Sequence, residues 1–173
     1  TKDMKQSIAG LLHDISSPVF AHVIDFLNED HENQESTEEK TEEIIENSKE
    51  IQKILKKYNL TTKDVYDYHM YPIADNDSPL LSSDRLEYTL GNAYYYGFKS
   101  MEEIKYIYDD LTISKNEFDE DEISFKSLHK AIEFTSAAIL NSKVYTCNED
   151  RFSMQYLADL LKLAVNKNII TLD

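Results

Sequence analysis

Ile8-Ala9-Gly10-Leu11-Leu12-His13-Asp14-Ile15-Ser16-Ser17-Pro18-Val19-Phe20-Ala21-His22-Val23-Ile24-Asp25 is the stretch around which the chain is organised. One apolar run ends in His13-Asp14, the polar break Ser16-Ser17-Pro18 follows, and a second apolar run carries His22 and Asp25. Charged groups in apolar surroundings are costly unless paired or bound to a metal. Imidazole plus carboxylate is a donor set that suits a divalent transition metal or magnesium. Spacing alone leaves two readings open, a helix end with a packed histidine and a metal site, because two adjacent donors do not complete a site.

Around that stretch the pattern is helical. Apolar Ile8, Leu11, Leu12 and Ile15 fall on one side of a helix expected from about Lys2 to Ile15. Ser17 is a suitable N-cap and Pro18 a suitable first helical residue for a second helix reaching Leu27, with Val19, Ala21, His22, Val23, Phe26 and Leu27 forming a mostly buried surface. Residues 28–50 are rich in acids, read as a solvated face, and Ile44, Ile45, Ile51, Ile54 and Leu55 mark the buried stripe of a helix from about Thr37 to Tyr58. A loop and short helix follow to Tyr71, and Asp75-Asn76-Asp77-Ser78-Pro79 reads as a turn. Further helices are expected near 83–97, over 100–112 with Met101, Ile104, Ile107 and Tyr108 inward, over Phe125–Leu140 and over Phe152–Ala164. Glu117 to Glu122 is expected as an acidic loop, and His129 as a surface or packing residue.

The order Leu-Leu-His-Asp-Ile followed by Pro-x-Phe-x-His resembles the core motif of the HD-domain metal phosphohydrolases. It is most similar to the deoxynucleoside triphosphate triphosphohydrolase branch, which reads Leu-Leu-His-Asp-Ile-Gly-His-Gly-Pro-Phe-Ser-His. The resemblance implies an all-α, HD-domain-like helical bundle. It also implies that His13 and Asp14 are metal ligands and that His22 is a catalytic residue beside the phosphates. The family's intermediate histidine falls on Ser17 here. Thr37-Glu38-Glu39-Lys40-Thr41-Glu42-Glu43-Ile44-Ile45 is similar to a second family segment, His-Glu-x-x-Ser/Thr-x-x-Ile-Ile, with Thr37 where the histidine is expected. His31-Glu32 lies six residues earlier and would substitute only through a rearranged loop.

The third match is Ser83-Asp84-Arg85-Leu86-Glu87-Tyr88-Thr89-Leu90-Gly91-Asn92-Ala93-Tyr94, which resembles Ala-Asp-Arg-Leu-Asp-Tyr-Leu-x-Arg-Asp-x-Tyr. It implies that Asp84 is a further metal ligand, with Tyr88, Asn92 and Arg85 on the substrate side. On a helix Asp84, Tyr88, Asn92 and Tyr95 share one face. Considered alone, Asp84 is an N-terminal acid favoured by the helix dipole. Gly91-Asn92 replaces the family's Arg-Asp pair. The matches span residues 8–97. The family also places a histidine ligand one helix upstream, so the chain is expected to be a fragment lacking that helix.

Length and composition bound the rest. A chain of 173 residues is expected as one helical domain, with an HD core over about 1–110 and an extension over 111–173. Three glycines and three prolines leave few helix breakers. A formal charge of −15 argues against a nucleic-acid partner but admits a small anionic, phosphate-containing ligand beside a metal. The single cysteine, Cys147, fits a reducing cytoplasm, and no apolar run reaches the roughly 18 residues of a membrane span. The Tyr-rich region 88–108 is a candidate surface for a homo-oligomer.

The expected function is metal-dependent hydrolysis of a nucleotide or related phosphate ester, with one divalent ion (Mn, Fe or Mg). The alternative is a non-catalytic HD-fold protein that binds metal or nucleotide as a sensor or assembly module. Its motivation is that Ser17, Thr37 and Asn92 each replace a family active-site residue.

Overall fold

The computed structural model describes residues 3–28, 40–76 and 80–171. The protein is all-α in character. Eight α-helices are present among the described residues: α1 (Met4–Leu12), α2 (His22–Leu27), α3 (Thr41–Asn47), α4 (Lys49–Lys57), α5 (Ser83–Tyr95), α6 (Met101–Asp109), α7 (Leu128–Tyr145) and α8 (Asn148–Asn166). A single hairpin, β1 (Leu111–Lys115) and β2 (Asp121–Phe125), interrupts them. The chain folds as two compact units. The first comprises α1 with Lys63–Val144, and the second comprises His13–Thr62 with Tyr145 onward.

In the first unit the core is Ile73, Leu86, Leu90, Ile107, Ile123 and Phe134. α5 contributes Leu86 and Leu90, four residues apart and therefore on one side of the helix. The buried Ser82 hydroxyl starts α5 by accepting a hydrogen bond from the Arg85 amide at 3.2 Å. α6 opens on a capping box: Ser100 accepts from the Glu103 amide, and the Glu103 carboxylate accepts from the Ser100 amide at 2.8 Å. Those Ser100 bonds, backbone first, hold the Glu103 carboxyl below its ordinary pKa. The stabilisation is therefore complete above the ordinary glutamate pKa and fades as the pH falls through the lowered value. Ser100→Ala is expected to cost about 1 kcal/mol in urea denaturation at neutral pH. Ile104 and Ile107 point inward from α6 as expected, but Met101 and Tyr108 are exposed.

The hairpin was not expected, yet its signal lies in the sequence. Leu111, Ile113, Ile123 and Phe125 alternate with Thr112, Ser114, Glu122 and Ser124, a period of two. Ile113 pairs with Ile123 and Leu111 with Phe125 in antiparallel register. The acidic loop is the turn: the Asn116 side-chain oxygen accepts from the Phe118 and Glu120 amides, and Asp119 takes a positive φ of 63°. α1 docks through Ala9, which is fully buried against Tyr68 and Ala74. Leu11, two positions further round the helix, is 80% exposed, contrary to its expected inward place.

In the second unit α2 packs Val23, Ile24, Phe26 and Leu27 against Met154, Ala158 and Leu161 of α8. The Arg151 guanidinium lies 5.1 Å from the Phe26 ring centre. The helix expected over 37–58 is described as two pieces. Ser48 leaves helical geometry (ψ 107°), and its hydroxyl caps α4 by accepting from the Ile51 amide. A serine side chain that competes for backbone amides breaks a helix where apolar periodicity alone would continue it. α4 ends on Asn59 at φ 56°, with the Leu60 amide donating to the Leu55 carbonyl.

Candidate metal and phosphate site

His13 and Asp14 open the second unit, in the turn that follows α1. The helix expected to run through Ile15 stops at Leu12, so the pair sits on a turn rather than inside a helix. His13 Nε2 and Asp14 Oδ2 are 3.2 Å apart, with the imidazole 22% and the carboxylate 70% exposed. Two donors each about 2.1 Å from one ion lie about 3 Å apart when they occupy neighbouring coordination positions. The spacing therefore suits a shared cation, and the donor chemistry fits the ion that the resemblance implies. Among the described residues no group of three or more His, Cys, Asp or Glu side chains is gathered in a form that could hold a metal.

The turn is tied down on both sides. The Ser17 amide donates to the Asp14 carbonyl at 3.0 Å, and the Ser17 hydroxyl donates to Asp14 Oδ1 at 3.3 Å. The Ser16 and Thr41 hydroxyls share a hydrogen bond of 2.8 Å, which fixes the turn to α3. Ser17 is thus not the N-cap of the next helix, because its hydroxyl turns back to Asp14. α2 starts at His22 instead of Pro18, after Phe20 (φ 73°) and Ala21 (φ 31°) have passed through the left-handed region. Neither is glycine, so both positions are strained. Val19 is consequently exposed rather than buried, and Phe20 is exposed beside it.

That entry places His22 at the first turn of α2, where its Nδ1 lies 3.2 Å from Asp25 Oδ2. The contrast in exposure decides what the pair can do: His22 is 62% exposed and Asp25 is fully buried. A carboxylate only accepts, so a hydrogen bond between the two uses an N–H at Nδ1. The sequence reading gave Asp25 no role. Its i, i+3 spacing from His22 on a helix was the available signal.

The remaining candidates lie in the first unit. Asp84 is the second residue of α5, partly exposed, with its amide donating to the Ala74 carbonyl at 3.4 Å. Arg85 clamps the preceding loop: Nη1 donates to Asn76 Oδ1 at 2.7 Å and the Leu80 carbonyl at 3.0 Å, and lies 3.6 Å from Asp75. Tyr88 is half-exposed. Its partial burial raises the phenol above its ordinary pKa despite the Arg85 cation, and Asp84 and Asp75 add to the effect. It is therefore a neutral hydroxyl at neutral pH. Asn92 is partly buried on the same helix. Thr37 and His31-Glu32 lie outside the described residues.

No family model and no solved structure matches the chain. It is similar to an uncharacterised protein of Bacillus subtilis, YdhJ, at 27% identity over 169 residues, covering 97% of this chain and 50% of that protein. It is also similar to the metal-dependent phosphohydrolase cns2 of Cordyceps militaris, at 29% identity over 109 residues, covering 62% of this chain and 31% of that protein. The chain therefore spans half or less of the length of these relatives. Neither name points to the triphosphohydrolase branch. The name of the second relative states metal-dependent phosphohydrolysis, the reaction class that the resemblance of the motifs implies.

Proposed function

We propose that the chain carries an HD-type, metal-dependent phosphohydrolase activity on a small phosphate ester, nucleotides included. This reading is carried by two local contacts in the second unit, a metal-suited His13-Asp14 turn and an exposed His22 held by a buried carboxylate. The cns2 relative supports the reaction class. His13 and Asp14 would hold the ion, and Asp84 is added as a ligand on the resemblance alone. A bound divalent ion supplies Lewis acidity toward a phosphoryl oxygen and an acidified water.

The chain's own residues do the rest. His22 contacts the phosphate or moves a proton at Nε2. Asp25 is a positioning residue that fixes the His22 tautomer and ring plane. Ser17 holds the Asp14 carboxylate by its hydroxyl. The neutral Tyr88 hydroxyl can donate a hydrogen bond to substrate. Strain at Phe20 and Ala21 sits directly before His22, in keeping with a site that sets backbone geometry against local preference.

The same Ser17 contact favours the second reading, a binding module without turnover, because a hydroxyl stands where the family has an imidazole. One experiment separates the two. The full chain is analysed for bound metal and then assayed on nucleotides and aryl phosphates with Mn, Fe or Mg. Turnover that Asp84→Ala abolishes supports hydrolysis. Metal retained with no turnover, in wild type and Ser17→His alike, establishes the module. For the active protein, Asp25→Asn is expected to lower kcat about 10- to 100-fold with KM little changed, and to displace the pH profile.

A further inference from the structure

α8 carries two apolar faces. Met154, Ala158 and Leu161 pack against α2. On the other side Phe152, Tyr156, Leu160 and Leu163 follow at steps of four, four and three, and all four are exposed. Helical geometry aligns them in one stripe. The Phe152 and Tyr156 rings stack at 5.9 Å and 9°, giving the stripe a flat aromatic end. A helix that is apolar on both sides is suited to lie between two partners.

Charge identifies the second partner. The chain carries −15, yet from Asn148 to Lys167 three acids (Glu149, Asp150, Asp159) meet three bases (Arg151, Lys162, Lys167). α8 is a locally neutral surface on a strongly acidic chain, where like-charge repulsion between copies is least. The stripe is bounded by Glu149 at one end and Lys167 at the other, both exposed. A two-fold axis at the level of residue 158 sets Tyr156 against Leu160 of the second copy and Glu149 against Lys167 of the second copy. The arrangement is self-complementary only when the helices run antiparallel. A membrane surface fits poorly, since an interfacial helix carries a basic polar face.

We infer that α8 is the contact of an antiparallel homodimer, built on the Phe152–Leu163 stripe and closed at both ends by Glu149–Lys167 pairs. The test is the mass of the full chain by light scattering and sedimentation. The expected mass is twice the 20.1 kDa of one chain. Tyr156→Glu is expected to raise the dimer Kd at least about 100-fold, with unchanged circular dichroism. Glu149→Lys or Lys167→Glu alone is expected to raise it about tenfold, because two symmetry-related attractions become repulsions. The double exchange is expected to restore the wild-type value. A monomer at all concentrations up to about 100 μM, well above the micromolar Kd of a stable contact, overturns the inference. So does a dimer indifferent to Tyr156→Glu, or a double exchange no better than either single one.

Discussion

Asp14→Asn is expected to abolish bound metal and phosphohydrolysis together while leaving the fold intact. The carboxylate is 70% exposed, and it touches the His13 ring and the Ser17 hydroxyl, while the Ser17 amide bonds the Asp14 backbone carbonyl, which the substitution keeps. Removing one charge from an exposed turn changes stability by about 0.5 kcal/mol or less. Lewis-acid stabilisation of a phosphoryl group is worth several kcal/mol, so its loss corresponds to a fall in kcat/KM of roughly a thousandfold or more. Elemental analysis and a thermal melt on the same sample check both halves. Metal retained at wild-type stoichiometry would remove Asp14 from the ligand set. A large drop in melting temperature would instead make the pair structural.

Replacing Ile107 by alanine gives the largest expected loss of stability. Its side chain is fully buried on α6, in the cluster that joins α5, α7 and the hairpin through Leu86, Leu90, Phe134 and Ile123. Deleting three carbons there forfeits transfer energy and leaves a cavity, for a cost of about 2–5 kcal/mol. Ile107→Val removes one methyl and is expected to cost about 0.5–1.5 kcal/mol. Urea midpoints for the two variants should fall in that order. A middle value of ~3 kcal/mol lowers the melting temperature by about 6–12 °C in a chain of this size. Equal effects of the two substitutions would show that the cluster collapses to fill the gap.

Much of the helical content was legible because its signals are local. The helix expected over 100–112 is α6, with Ile104 and Ile107 on its inward side as read, and the one expected near 83–97 is α5. Errors arose where a local signal had two outcomes. Ser17-Pro18 is a good helix start in isolation, but the Ser17 hydroxyl bonds Asp14 instead, and Phe20 and Ala21 delay the helix to His22. Ser48 sits in an otherwise continuous apolar period and caps a new helix. The hairpin was overlooked although Leu111 to Lys115 and Asp121 to Phe125 alternate in polarity. Short alternating five-residue runs are ambiguous until a partner strand fixes them.

At the candidate site, the sequence by itself determined that His13 adjoins Asp14, that His22 and Asp25 lie one helical turn apart, and that helices dominate. Those facts follow from neighbours in the chain and from the 3.6-residue period. Only the tertiary structure decided that Asp25 is sealed from water while His22 faces it, that Arg85 is engaged by Asn76 and the Leu80 carbonyl, and that α8 leaves an apolar stripe uncovered. Burial is set by what packs against a side chain from distant parts of the chain, as α8 does against α2, and no local pattern carries that information.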